Sequence, residues 1–192
     1  LLKLTIEEGA TVSSNFIDET KCHKLVEVVN LTDTELELSS DVVVKTSDDV
    51  SNFEVANDLV LYSNEGLVYI VDYLGSNSKV DLTELNLNRE YIVRKYCFGY
   101  RSADEHPSSY NIEEISIGDN ITRLEDFALG YNNISKVHLP YSLEYISPSA
   151  FAFNPLTYIS IDAENPNYFI ENGNIITNDS NTILIGTNGV IS

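Results

Sequence analysis

The sequence predicts a mainly β protein in which short coils stack into a solenoid, with short helical turns and interspersed β-hairpins. Two observations predict this fold. An apolar pattern recurs every 22 residues in the second half of the chain (134 − 112 and 156 − 134), and a hairpin pattern recurs after 115 residues (175 − 60). A repeat of about 20–50 residues is typical of stacked coils, because a single coil cannot bury its own apolar face.

The 22-residue repeat is clearest in residues 112–117, 134–139 and 156–161, which agree at every apolar position. Each row contains an apolar-x-apolar triplet. Side chains alternate across a β-strand, so the outer residues of each triplet point inward and the middle one faces solvent. Each row is therefore expected to form one short strand of one coil.

Further positions match at the same offset: Ile121 with Leu143, Leu124 with Ile146, Ala128 with Ala150, Leu129 with Phe151, and Tyr131 with Phe153. The chain is expected to return across the coil here, with a small residue allowing close backbone approach and a large neighbour filling the interior. Cys97-Phe98 matches Ala128-Leu129 at an offset of 31 (128 − 97). Cys97 then occupies the small-residue position, and both Cys97 and Cys22 are expected to be unpaired.

The longer period predicts two β-hairpins. Residues 60–62 and 68–70 lie 115 positions before residues 175–177 and 183–185, and a polar turn separates the two members of each pair. We therefore expect one solenoid over residues 1–192, with sub-units at about 1–85 and 86–192 that each end in a hairpin. Residues 36–49 fit no coil, and the apolar start of the chain leaves the first coil uncapped. Either neighbouring sequence or self-association is expected to cover that end.

The chain also resembles a known family. Residues 137–151 follow the order apolar strand, Pro, Ser-apolar, Ile and Ala-Phe, which is similar to the repeat of BspA-like leucine-rich-repeat proteins. Residues 162–168, with Asn-Pro-Asn-Tyr, resemble the segment that precedes hairpins in that family. The resemblance implies a right-handed leucine-rich-repeat solenoid at the cell surface or secreted, which binds host or matrix proteins or other cells. Gly118 and Leu129 depart from the pattern, where Pro and Phe are usual.

The charge balance restricts the partners. The chain has 11 basic and 30 acidic residues, a net charge of −19. Nucleic-acid binding depends on basic side chains that displace counterions, and anionic membranes attract basic segments, so neither is an expected partner. No apolar run approaches the ~20 residues that a membrane-spanning helix needs. The expected partner is an extracellular protein or glycan.

No catalytic motif, cofactor motif or metal-ligand spacing is present. His23, His106 and His138 are far apart in sequence and none has a patterned acidic partner. Two groups of oxygen-bearing residues leave calcium open as an alternative: Asp162, Glu164, Asn165 and Asn167, and Asn178, Asp179 and Asn181. Asn and Asp also stabilise turns through side-chain hydrogen bonds, and neither group has EF-hand spacing.

Stacked strands align their outward residues in columns, and these columns are the candidate binding surface. The first column is Glu114, Lys136 and Tyr158, the second is Ser116, His138 and Ser160, and the third is Gly118, Pro140 and Asp162. The leading hypothesis is a non-catalytic adhesion module that binds through this surface. The alternatives are a structural spacer, a calcium-stabilised surface repeat, and a carbohydrate-active enzyme whose carboxylates pair only in space.

Overall fold

The computed structural model describes residues 2–13, 17, 24–39, 42–46, 52–99, 110–178 and 183–185. These residues form two compact units, Leu1–Phe53 and Glu54–Ser192. Cys22, His23, His106 and the polar segment 101–109 lie outside the described residues. Within the described ranges the regular structure is entirely β-strand, and no helix is long and apolar enough to cross a membrane.

The strands are short, as expected for coils. They are β1 Lys3–Ile6, β2 Glu27–Asn30, β3 Val43–Lys45, β4 Phe53–Ala56, β5 Leu59–Asn64, β6 Leu67–Tyr73, β7 Lys79–Asp81, β8 Tyr91–Val93, β9 Glu114–Ser116, β10 Ile121–Leu124, β11 Lys136–Leu139, β12 Tyr145–Ile146, β13 Tyr158–Ile161, β14 Tyr168–Glu171, β15 Asn174–Thr177 and β16 Ile183–Ile185.

In the first unit, β1, β2 and β3 form a parallel sheet in that order. Its apolar cluster centres on Ile6, Leu25, Val28 and Val42. The carboxylate of Glu27 is fully buried between two lysines: its Oε2 lies 2.7 Å from Lys45 Nζ, and its Oε1 lies 3.4 Å from Lys3 Nζ. The segment that fitted no coil in the sequence thus contains a strand, β3.

In the second unit, the apolar-x-apolar triplets form parallel strands on one side of the coils. β7 pairs with β9 and β11 pairs with β13, while β9 and β11 lie side by side. The residues that return across each coil form a second sheet with the order β12-β10-β8-β6-β5-β4. Parallel strands in both sheets confirm that successive rows stack.

Both predicted hairpins are present as antiparallel pairs, β5 with β6 and β15 with β16. The β14–β15 turn at Asn172-Gly173 and the β4–β5 turn at Asn57-Asp58 each have two successive residues with positive φ, from 50° to 80°. Positive φ at both central residues is the property of a type I′ turn. The sub-unit boundary near residue 85 stays a prediction.

One apolar core fills the second unit. Ile115, Val137 and Ile159 contribute to it from the triplet strands, and Leu124 and Ile146 contribute from the second sheet; all are at most 5% exposed. Ala128, Leu129, Ala150 and Phe151 are buried where the repeat placed them, and Cys97 is buried in the small-residue position.

Two buried asparagines join successive coils. Asn132 Oδ1 accepts a hydrogen bond from the Ile112 amide, and Asn132 Nδ2 donates to the Phe98 carbonyl at 2.8 Å. One coil later, Asn154 Oδ1 accepts from the Ile134 amide at 2.9 Å, and Asn154 Nδ2 donates to the Leu129 carbonyl at 2.8 Å. These side chains supply partners to backbone groups that would otherwise be buried without one.

The short helical turns expected between the sheets are tight turns instead. Single i→i+3 hydrogen bonds close them, such as Ala128 N to Glu125 O at 3.1 Å and Ala150 N to Ser147 O at 2.9 Å. The backbone leaves the helical region at Phe127 and Tyr131, where φ is 53° and 56°. A left-handed residue ends a helical turn, so these segments do not extend into helices.

Four aromatic side chains with positive φ stack along these turns. The ring centroids are 5.3 Å apart for Tyr96 and Phe127, 5.9 Å for Phe127 and Tyr131, and 4.4 Å for Tyr131 and Phe153. Phe153, which the repeat aligns with Tyr131, is 65% exposed. Its apolar character serves the stack on the surface of the coils. Burial of the Tyr96 hydroxyl and the nearby Asp126 carboxylate raise the pKa of Tyr96 above its usual value.

We expect Tyr131→Gly to be more stable than Tyr131→Ala by about 0.5–1 kcal/mol. Both changes remove the stacked ring, but only glycine adopts a φ of 56° without strain. Urea unfolding of the two variants measures the difference. Equal stabilities, or a more stable alanine variant, would show that the left-handed backbone at this turn carries no strain.

Candidate functional site

The structure aligns the outward residues of the triplet strands as the repeat predicted. Lys136 lies opposite Tyr158, and His138 lies opposite Ser160 in the parallel register of β11 and β13. On the neighbouring pair, Lys79 lies opposite Glu114 and Asp81 lies opposite Ser116. The first column therefore also contains Lys79 and the second also contains Asp81. We call this surface, on β7, β9, β11 and β13, the strand face.

The sequence repeat did not reveal Lys79 and Asp81. The offset from Lys79 to Glu114 is 35 residues (114 − 79), which exceeds 22 by 13, and the polar segment 101–109 accounts for nine of these. The triplet that matches the other rows is Val80-Asp81-Leu82, whose two apolar side chains are both buried. The alternation around Val80 was the available signal, but it is too short to identify a strand without a register partner.

An ion pair joins the first two residues of the first column. Lys79 Nζ lies 2.7 Å from Glu114 Oε2, and this contact raises the pKa of Lys79 above its ordinary value. Both side chains are largely exposed, so the pair contributes little to stability. At the other end of β7, hydrogen bonds from the Thr83 hydroxyl and amide lower the pKa of Asp81.

Three polar side chains, those of His138, Ser160 and Asp162, join the second and third columns. His138 Nδ1 lies 3.0 Å from Ser160 Oγ, and His138 Nε2 lies 3.7 Å from Asp162 Oδ1. Asp162 Oδ2 accepts a hydrogen bond from the Tyr141 amide at 2.9 Å. The imidazole and carboxylate are about half exposed, so they are accessible to a partner. Ser, His and Asp also occur together in nucleophilic triads, but here the imidazole and the carboxylate are open to solvent, whereas a closed active site excludes water.

A cavity of about 480 Å³ borders the last triplet strand. Its lining is Thr157, Tyr158, Ile159, Ser160, Ile161, Asp162, Ala163, Tyr168, Phe169, Ile170 and Gly173. Tyr158 is 57% exposed at its rim. The cavity therefore extends the strand face with an apolar floor beside polar side chains, a combination typical of binding sites.

In the first group of residues considered for calcium, the Asn165 side chain already makes hydrogen bonds within the protein. Asn165 Nδ2 donates to the carbonyls of Pro140, Tyr141 and Leu143, and its Oδ1 accepts from the amides of Asn167 and Tyr168. Among the described residues, no three His, Cys, Asp or Glu side chains converge in a way that could hold a metal ion. In the second group, Asn178 donates to the Pro166 carbonyl, while Asp179 and Asn181 lie outside the described residues.

Comparison with known proteins gives one result. Residues 106–175 match the model for the BspA type leucine-rich-repeat region, with 6 copies. The matched range contains β9 to β13 and most of the strand face. No curated protein and no solved structure matches the chain.

Proposed function

Because residues 106–175 form a BspA-type leucine-rich-repeat region, a kind of repeat that generally mediates protein interactions, we propose that this protein is a non-catalytic extracellular adhesion module. It recognises a protein or glycan through the strand face, at Glu114, Ser116, Lys136, His138, Tyr158 and Ser160. The coils are right-handed, as parallel strands joined by crossovers are in nearly all proteins. Proteins with such repeats are typically exposed at the cell surface or secreted.

The exposed strand face is the observation that supports this proposal best. Its columns place positive, aromatic and hydroxyl side chains side by side on adjacent parallel strands: Lys136 beside Tyr158, and His138 beside Ser160. Tyrosine supplies contact area at a small entropic cost, and hydroxyl and imidazole groups adapt their hydrogen bonds to a partner. The rigid strands keep these groups in place before binding, which lowers the entropic cost of association.

An array of extracellular-matrix proteins and glycans tests the proposal, with three proteins applied side by side. The first is the wild type and the second carries Lys136→Ala, His138→Ala and Tyr158→Ala. The matched control carries Arg123→Ala, Glu144→Ala and Tyr145→Ala, which are exposed residues on or beside the second sheet. We expect the wild type and the control to bind the same ligand, and the strand-face variant to lose at least tenfold in affinity.

The alternatives give different results in the same experiment. A structural spacer binds nothing on the array. Binding that the control variant loses and the strand-face variant keeps would move the site to the second sheet. Turnover of a glycan on the array would indicate a carbohydrate-active enzyme and would contradict the non-catalytic proposal.

A calcium-stabilised repeat is the remaining alternative, and a thermal melt addresses it. We expect the same Tm in millimolar calcium and in excess chelator, because Asn165 Oδ1 already accepts two backbone hydrogen bonds and the Nδ2 groups of Asn165 and Asn167 already donate to Leu143 O. A ligand that binds only the folded state raises Tm. A rise of several degrees with calcium, reversed by chelator, would contradict this expectation. Magnesium at the same concentration controls for ionic strength.

A further inference from the structure

The strand β13 has an edge to which no described strand is paired. Its hydrogen bonds to β11 start from the amides of Tyr158 and Asp162, which donate to the carbonyls of Ser135 and Leu139 at 3.2 and 3.0 Å. Successive residues of a strand direct their backbone groups to opposite edges. The amides and carbonyls of Ile159 and Ile161 are therefore directed away from β11, towards the cavity of about 480 Å³.

That cavity has the form of a slot along a strand. One wall is the continuous run of residues 157–163, and the other wall contains Tyr168, Phe169 and Ile170 from β14. Ile161, Phe169 and Ile170 are only half-buried, and two of them, Ile161 and Ile170, also contact the main core. The slot thus combines a row of backbone hydrogen-bonding groups with an apolar floor that an added strand would cover.

We infer that this slot binds an extended segment of another polypeptide, which pairs in parallel with β13 and extends the sheet by one strand. The inference rests on the proposed binding function and names the class of partner for its last strand. Strand addition at an exposed sheet edge is a common mode of peptide recognition: main-chain hydrogen bonds supply affinity, and alternate side chains supply specificity.

The columns indicate which side chains the segment carries. Within this chain, a basic residue beside a tyrosine on adjacent parallel strands stacks on the ring: the Arg123 guanidinium lies 4.3 Å from the Tyr145 ring centroid. Tyr158, more exposed than Tyr145, presents the same opportunity to a basic residue of the partner. The Asp162 carboxylate at the end of the third column also favours a basic residue, as does the net charge of −19.

The segment therefore has the order basic, apolar, hydroxyl, apolar, basic, opposite residues 158–162. Its apolar residues lie over the half-buried floor beside Ile159 and Ile161, and its hydroxyl extends the column of Ser116, His138 and Ser160. The β1 strand of a second copy, Lys-Leu-Thr-Ile at Lys3–Ile6, has part of this order and is the competing occupant. A saccharide competes for the polar rim, but it leaves the directed backbone groups of the edge without a regular series of partners.

The test uses the capped peptide Lys-Ile-Ser-Ile-Lys and two N-methylated forms, titrated into the full chain by calorimetry. In a parallel pair, the amide of the peptide serine is directed to the carbonyl of Ile159, while the amides of the isoleucines are directed to solvent. We expect N-methylation of the serine to weaken binding at least tenfold and N-methylation of the first isoleucine to change it less than threefold. Both forms have the same composition, so charge and hydrophobicity are matched.

Protein variants provide a second measurement. Tyr158→Ala and Asp162→Asn are each expected to weaken peptide binding about threefold to tenfold. Glu84→Ala, an exposed acidic position that does not line the slot, is expected to leave it unchanged. Equal binding of the two N-methylated forms would overturn strand addition. No binding of the parent peptide would overturn the inference as well.

The competing occupants are distinguished in the same samples. Sedimentation velocity at increasing protein concentration should show one species, and peptide affinity should not depend on protein concentration. Self-association that reduces peptide binding would assign the slot to a second copy and overturn the inference. If the peptide does not bind by strand addition but the strand-face variant still loses binding on the array, only this inference fails and the proposed function stands. Failure of both would reject the binding function itself.

Discussion

Replacement of Asn154 by alanine is expected to reduce the free energy of unfolding of the second unit by about 3–5 kcal/mol. The side chain is 5% exposed, and its Oδ1 accepts from the Ile134 amide while its Nδ2 donates to the carbonyls of Leu129 and Phe151. Alanine leaves these backbone groups buried, and water cannot reach them without opening the coil. Each buried group that loses its partner costs about 1–3 kcal/mol.

The effect reaches beyond one coil, because Asn154 bonds to Phe151 in its own coil and to Leu129 and Ile134 in the preceding part of the chain. Urea unfolding followed by circular dichroism measures it, with Asn133→Ala as the control at an exposed neighbouring asparagine, where we expect a change within about 0.5 kcal/mol. Asn154→Asp should also destabilise strongly, because it keeps the acceptor but buries a charge and removes the donor. An Asn154→Ala variant within 1 kcal/mol of the wild type would refute the structural role of this side chain.

Lys45→Ala should have the second-largest effect, a loss of about 3 kcal/mol in the first unit. Glu27 is 0% exposed and its carboxylate lies 2.7 Å from Lys45 Nζ, so the variant leaves a buried negative charge with weaker compensation. Lys3, at 3.4 Å from the other carboxylate oxygen, retains part of the attraction. Removal of one member of a buried pair usually costs more than the pair itself contributes.

A double-mutant cycle tests the cause. Glu27→Gln removes the charge and keeps the shape, so the Lys45→Ala change should cost about 1 kcal/mol or less in that background. The folded fraction of each protein is measured by thermal and urea unfolding. Additive losses in the double variant would show that Lys45 acts through packing of its aliphatic chain and not through the Glu27 charge.

The sequence predicted the residues of the strand face well, because the constant offset of the repeat determines which residues lie opposite each other. An offset of 22 residues places Lys136 opposite Tyr158 and His138 opposite Ser160, and the observed pairing agrees. Apolar alternation fixes the inward face of each triplet, since a shift of one residue would expose the whole row. The same arithmetic failed where the spacing changed, so Lys79 and Asp81 were not predicted.

Other features depend on contacts between side chains, and a pattern of apolar residues does not reveal such contacts. Asn132 and Asn154 repeat at the same 22-residue offset (154 − 132), but the repeat is defined by its apolar positions, and polar residues in turns are normally expected to be solvated. The repeat aligned Phe153 with Tyr131 but did not indicate that the two rings stack on each other at the surface. The β3 strand was missed because Val42, Val43 and Val44 are consecutive and show no alternation.

The central claim is that partners bind on the strand face, and a lysine footprint tests it most directly. The protein is acetylated briefly with and without the array-selected ligand, and each lysine is quantified by mass spectrometry. Lys79 and Lys136 lie on the strand face, whereas Lys95 lies in the turn that follows β8 in the second sheet. If partners bind on the strand face, we expect slower acetylation of Lys79 and Lys136 in the complex and no change at Lys95. Protection of Lys95 with unchanged Lys79 and Lys136 would contradict it.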